Sequence, residues 1–100
     1  MPNLDVSVSH RLSQDEALRR IQAAIAQAKA QYSDKINDLH ESWNGHTGTF
    51  LVSAQNQQAL GTVIVNPSDV KVQITLPFLV SFFKTTIESR MRDELERILA

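Results

Sequence analysis

The sequence predicts an α+β domain over residues 1–100, of order β-α-β-β-β-β-α, with a five-stranded, mainly antiparallel curved sheet and two helices on one face. Three observations predict it. Leu4, Val6 and Val8 alternate with Asp5, Ser7 and Ser9, and Val70, Val72, Ile74 and Leu76 alternate with Lys71, Gln73 and Thr75. A period of two marks half-buried strands. Ala17, Leu18, Ile21, Ala24, Ile25, Ala28 and Tyr32 recur at helical spacing and, at 100° per residue, fall within about 120° of arc. Asn44-Gly45 lies between two strand-forming runs, and both residues tolerate the positive φ of a type I′ hairpin turn.

The elements follow in order. Ser13-Gln14-Asp15-Glu16 reads as a capping box, in which Ser13 caps the first helix and Glu16 reaches back to it. Ser33 to Asn37 form the exit from that helix. Leu39, Glu41 and Trp43 mark a short strand, and Thr49 to Ala54 the return strand, with Phe50, Val52 and Ala54 on one side. Gln55 to Gln58 read as a turn, and Gly61 to Val65 as a strand with Val63 and Val65 inward. Asn66-Pro67-Ser68-Asp69 fits a type I turn.

Pro77 suits the first turn of a helix, where its missing N–H costs nothing. The final helix is expected from about Pro77 to Leu99, with Val80, Phe83, Ile87, Met91, Leu95 and Ile98 as its core stripe. Glu88–Arg92 and Asp93–Arg97 are then i,i+4 pairs on its solvent side.

Short turns between the last four strands imply an antiparallel meander. The first strand, arriving across a helix, is expected beside the last, in the spatial order 1-5-4-3-2. This arrangement resembles half of a TATA-binding-protein-like saddle or a shortened helix-grip fold.

The composition narrows the function classes. The hydrophobic fraction is 42% and the charged fraction 21%, which is ordinary for a globular chain. Ten basic and eleven acidic residues give a net charge of −1. They form no basic stripe of the kind nucleic-acid binding requires. The absence of cysteine excludes disulfides, thiolate ligands and a cysteine nucleophile. No apolar run approaches the ~20 residues of a membrane span, and Met1-Pro2-Asn3-Leu4-Asp5 is unlike a signal peptide. The expected location is the cytoplasm.

Several features in order resemble the polyhydroxyalkanoic acid system family, small bacterial proteins linked to polyester storage granules. They are the opening strand, the Ser13–Ala17 helix start, Trp43-Asn44-Gly45, Phe50, and Gly61 opening the Val63/Val65 strand. Val70-x-Val72-x-Ile74-x-Leu76-Pro77 with its phenylalanine-rich helix entry, Ile87-Glu88 and Leu95 to Leu99 complete the pattern. The resemblance implies a granule or granule-protein partner and no known reaction. Asn44-Gly45-His46 stands where Gly-Asp is expected after the Trp, so no acidic turn residue is carried over.

Candidate chemistry is sparse. His40 and His46 flank the hairpin near Asp38, Glu41 and Trp43, but a zinc site needs three or four convergent ligands. Surface histidines near a packed Trp are the expected reading, and His10, which precedes a helix cap, is read the same way. No Ser sits in a G-x-S-x-G elbow, and three glycines leave no phosphate-cradling loop. The expectation is therefore no catalytic residue, no metal and no cofactor.

The start of the last helix is more informative. With Phe83 at 0°, Val80 and Ile98 fall at about 60°, Leu79 at about 320°, Phe82 at about 260° and Phe78 at about 220°. One face cannot bury both Phe83 and Phe82. Phe78, Leu79 and Phe82 are thus candidates for an exposed apolar patch, with Trp43 as a further partner- or ligand-binding candidate. The leading expectation is a non-enzymatic accessory or binding protein acting through this patch, on a granule, a granule protein or a second copy in a homodimer. The alternative is a small hydrophobic-ligand carrier or enzyme, with a pocket between the final helix and the sheet lined by Trp43, Phe50 and Met91. Gly61 would then mark close ligand approach, or simply a bulge.

Overall fold

Alternation in the sequence becomes alternation in burial. In the structure, a computed structural model, residues 3–35, 38–54, 57–75 and 82–100 are described. Strand β1 (Asn3–Ser9) buries Leu4, Val6 and Val8 and exposes the residues between them. Helix α1 (Gln14–Gln31) follows. Strands β2 (Asp38–Asn44), β3 (Thr47–Ala54), β4 (Gln57–Val65) and β5 (Asp69–Thr75) form a meander, and helix α2 (Lys84–Leu99) closes the order.

The sheet order is β1-β5-β4-β3-β2, as expected, and every pairing is antiparallel. Its register lays Leu4, Ile74, Gly61, Phe50 and Glu41 across one face, and Val6, Val72, Val63, Gly48 and Trp43 one step further along. Leu4, Val6, Val8, Val63, Val65, Val70 and Val72 pack there against Ala17 and Ile21 of α1 and Leu95 and Leu99 of α2. Both helices therefore cover the same side.

The β2–β3 turn has Gly45 at φ 61°, the left-handed conformation that an Asn-Gly hairpin supplies. In the β4–β5 turn, Asn66 N donates to Asp69 O at 2.8 Å, and Asn66 Nδ2 donates to Asp69 Oδ1 at 2.7 Å. β4 begins at Gln57 rather than Gly61, because a two-stranded ladder with β3 continues through the polar Gln57-Gln58 pair. Phe50, Gly61 and Ile74 stay in continuous register, so Gly61 is not a bulge.

Three local expectations change. Ser13 Oγ does accept from Glu16 N at 3.1 Å, but the Glu16 carboxylate turns to Arg19 and Arg20 instead of closing the capping box. On α2, Arg97 pairs with Glu94, and Arg92 Nη1 donates to Ser7 O at 3.2 Å, in place of the two expected i,i+4 pairs. Regular helix begins at Lys84, with Phe83 in the capping position and 62% exposed. Phe83 therefore does not join the core stripe: a phase counted back from a helix does not extend past its first residue. Pro77 to Val80 lie outside the described residues, as do Ile36 and Asn37 of the expected helix exit.

Candidate functional site

The helices meet at one end and leave the sheet uncovered toward the other. Arg20 Nη1, near the start of α1, donates to Ala100 O at 2.8 Å and Ile98 O at 3.2 Å, joining that end of α1 to the end of α2. The start of α1 is also tied to the sheet. Gln14 Nε2 donates to Val65 O at 2.8 Å, and His46 Nε2 lies 2.9 Å from Asp15 Oδ1. From there burial falls along the α1 stripe. Ala17 and Ile21 are buried, Ala24 and Ile25 half-buried, and Ala28 and Tyr32 exposed.

Between the diverging helices and the sheet lies an apolar cleft of about 620 Å³. Phe50, Val52 and Gly61 form much of its floor, Ile25 and Ala28 one wall, and Met91 and Leu95 the other. Its small residues explain its volume. Ala24 and Ala28 of α1 face a floor that includes Ala59 and Gly61, so neither side fills the gap.

Charge is confined to the rim. Lys29, on α1, is ion-paired with Glu41 on β2. Glu41 Oε2 also accepts from Trp43 Nε1 at 2.5 Å. Burial works to raise the Glu41 carboxyl, but hydrogen bonds from Lys29 and Trp43 outweigh it and hold the group below its ordinary value. Glu94 is likewise held below its ordinary value by its hydrogen bond to Arg97. The Lys35 Nζ sits 5.9 Å from the centre of the Tyr32 ring, within cation–π range.

The sequence-predicted residues separate. Phe50 and Met91 line the cleft, and so does Gly61. Trp43 stands one step outside it, edge-on to Phe50 with ring centres 5.8 Å apart and planes at 87°. Phe82 is 76% exposed. Phe78 and Leu79 lie outside the described residues. His40 is on the opposite sheet face, 2.8 Å from Asp38 Oδ2. Among the described residues, no three His, Asp or Glu side chains converge as a metal site.

His10 has a structural role. Buried between β1 and α1, its Nδ1 accepts from Leu12 N at 3.1 Å, so its Nε2 is the donor to Asn66 O at 3.0 Å. Lys29, Glu41 and Lys35 were not expected from the sequence as rim groups. Lys29 lies in the last turn of α1 and Lys35 in the turn that follows it, and neither is marked as a rim group by the α1 stripe itself.

Comparison with known proteins decides the family. Residues 4–99 match the family described as "Putative polyhydroxyalkanoic acid system protein". The chain belongs to that family. No curated protein matches the chain. Among solved structures, the crystal structure of TTHA0849 from Thermus thermophilus is similar, at 12% identity and TM-score 0.41, over 98% of this chain and 92% of that one. Among the described residues of this family member, no helix is long and apolar enough to cross a membrane.

Proposed function

We propose that this family member is a non-enzymatic binding protein of the polyhydroxyalkanoic acid system, acting in the cytoplasm, and that the cleft between its helices and sheet holds an apolar guest. One observation carries this reading: a cleft of about 620 Å³ with an almost wholly apolar lining. Ligand sites span roughly 300–1,000 Å³ and are mostly apolar with few polar groups. Burial of alkyl surface contributes about 25 cal/mol per Å² before association costs are counted. Glu41 with Lys29, and Glu94 with Arg97, are engaged with each other, so the lining favours holding a guest over making or breaking its bonds. Membership of a polyester-storage family makes aliphatic acyl groups the natural guests. The test is a titration with 1-decanol, followed by Trp43 emission through its contact with Phe50. Saturable one-to-one binding is expected; failure to bind decanol or to displace an apolar dye refutes the reading.

A second reading follows from Phe82 and Phe83, 76% and 62% exposed at the entry to α2. These two rings offer an apolar ledge for a granule surface or a second copy of the chain. Phe82→Asp and Phe83→Asp should lower partitioning onto isolated granules or shift the oligomeric state. Wild-type behaviour in both assays removes this ledge from consideration.

A further inference from the structure

The cleft is apolar inside and cationic at one edge. Among the described residues, the buried side-chain polar atom without a hydrogen-bond partner is Gln57 Oε1, and Gln57 does not line the cleft. The lining is almost wholly apolar, so a guest with a polar head is held at least cost with that head at the rim. The charged residues lining the cleft are Lys29, Lys35 and Glu94. Lys29 is neutralised by Glu41, and Glu94 by Arg97. Lys35 has no carboxylate within 4.0 Å among the described residues; its ammonium lies over the Tyr32 ring instead. The rim therefore carries one uncompensated positive charge beside an apolar volume.

We propose that the guest is a monomeric medium-chain carboxylate, with its alkyl chain in the cleft and its carboxylate at the Lys35 ammonium. This rests on the cleft being the binding site, as argued above. The carbonyl end of α1 is close by and repels an anion. The attraction must then come from the ammonium itself, with Lys29 adding to it if its pairing with Glu41 relaxes. Such an ionic contact at an exposed rim is modest, whereas each methylene buried in the cleft adds up to about fourfold in affinity. Chain length therefore sets affinity and the head group sets orientation.

The experiment compares decanoate with 1-decanol, and decanoate with octanoate, on wild type, Lys35→Gln and Lys35→Glu at low salt. Wild type should bind both ten-carbon ligands, and octanoate about tenfold more weakly than decanoate. Lys35→Gln should weaken decanoate about two- to fivefold and Lys35→Glu more, with decanol unchanged. On the unaltered chain, added salt should weaken decanoate and not decanol, a readout independent of how the variants fold. If decanol binds but decanoate is insensitive to both variants and to salt, the anionic head is wrong and the cleft reading survives. If the Lys35 variants lose both ligands equally while remaining folded, Lys35 acts by packing and the proposal falls. If neither ligand binds wild type, the cleft reading itself fails.

Discussion

The indole of Trp43 lies across Gly48 of the paired strand so closely that a Cβ on Gly48 would come within 2.8 Å of its Cε2, Cζ2 and Cη2 atoms. Only a residue without a side chain lets the ring lie flat there. That position in turn brings Nε1 to the Glu41 carboxylate and sets the ring against the edge of Phe50. Gly48→Ala should push the indole off its seat and destabilise the fold by about 1–3 kcal/mol, the usual range for overpacking. In a domain of this size that is a fall in melting temperature of about 4–8 °C per kcal/mol. A blue or red shift in Trp43 emission should accompany it. An unchanged melting temperature and spectrum would show that the close approach is unimportant.

Acid should loosen the ties that hold α1 in place. Hydrogen bonds and charge from Arg19, joined by Arg20, pull the Glu16 carboxyl from 4.5 down to about 2. Glu41 is also held below its ordinary value, through Lys29 and Trp43. A carboxyl whose folded pKa is depressed stabilises the fold above its unfolded pKa, and that contribution disappears as pH falls through the folded value. Both contributions are thus complete at neutral pH. Glu16's is lost between about 4.5 and about 2. Thermal melts from pH 7 to 2 should show the decline, and Glu16→Gln and Glu41→Gln should each flatten it. The Glu16 effect will be small, because its partners are solvated and salt screens them.

His10 should matter although it lies away from the cleft. It joins the end of β1 to the β4–β5 turn by accepting from Leu12 N and donating to Asn66 O. Truncation leaves a backbone donor and an acceptor without partners in a part-buried place, which costs about 1–3 kcal/mol. His10→Ala should therefore lower the unfolding free energy by that amount, moving the denaturation midpoint with the slope unchanged. Ligand binding by the folded fraction should not change, which separates this site from the cleft.

The strand order was legible because short turns after Asn44 and Asn66 leave few ways to join four strands, and Leu4-Val6-Val8 needs a buried neighbour such as Val70-Val72-Ile74. Periodicity also shows which way a side chain faces. It does not show how far the facing layer lies from it. Ala28 belongs to the α1 stripe yet is exposed, because α1 diverges from the sheet. Phe83 was misplaced for a related reason: the α2 phase holds from Lys84 onward and not before it. The roles of Gly48 and Glu41 depend on what stands across the β2–β3 ladder and on α1. Neither is visible until register and helix placement are known. Small residues on both sides of the cleft, Ala24 and Ala28 against Ala59 and Gly61, were the sequence signal for unfilled volume.

Gly61 gives the sharpest separation of binding from stability. A Cβ there would meet Ile74 Cγ1 at 3.6 Å and Gln73 O at 3.8 Å, ordinary contact distances, and its φ needs no glycine. The position pairs with Phe50 and Ile74 in an unbroken ladder, so a larger side chain has only one direction in which to grow, into the cleft. Replacing a strand glycine also removes an entropic disadvantage of about 0.5–1 kcal/mol. Gly61→Leu should therefore melt at or above the wild-type temperature while losing most affinity for 1-decanol, since its side chain occupies the guest's volume. Gly61→Ala should be intermediate in binding and equally stable. If Gly61→Leu binds decanol as wild type does, the guest does not lie on the Phe50–Gly61–Ile74 floor. If it unfolds, the cleft is narrower than about 620 Å³ and its walls close on one another in solution.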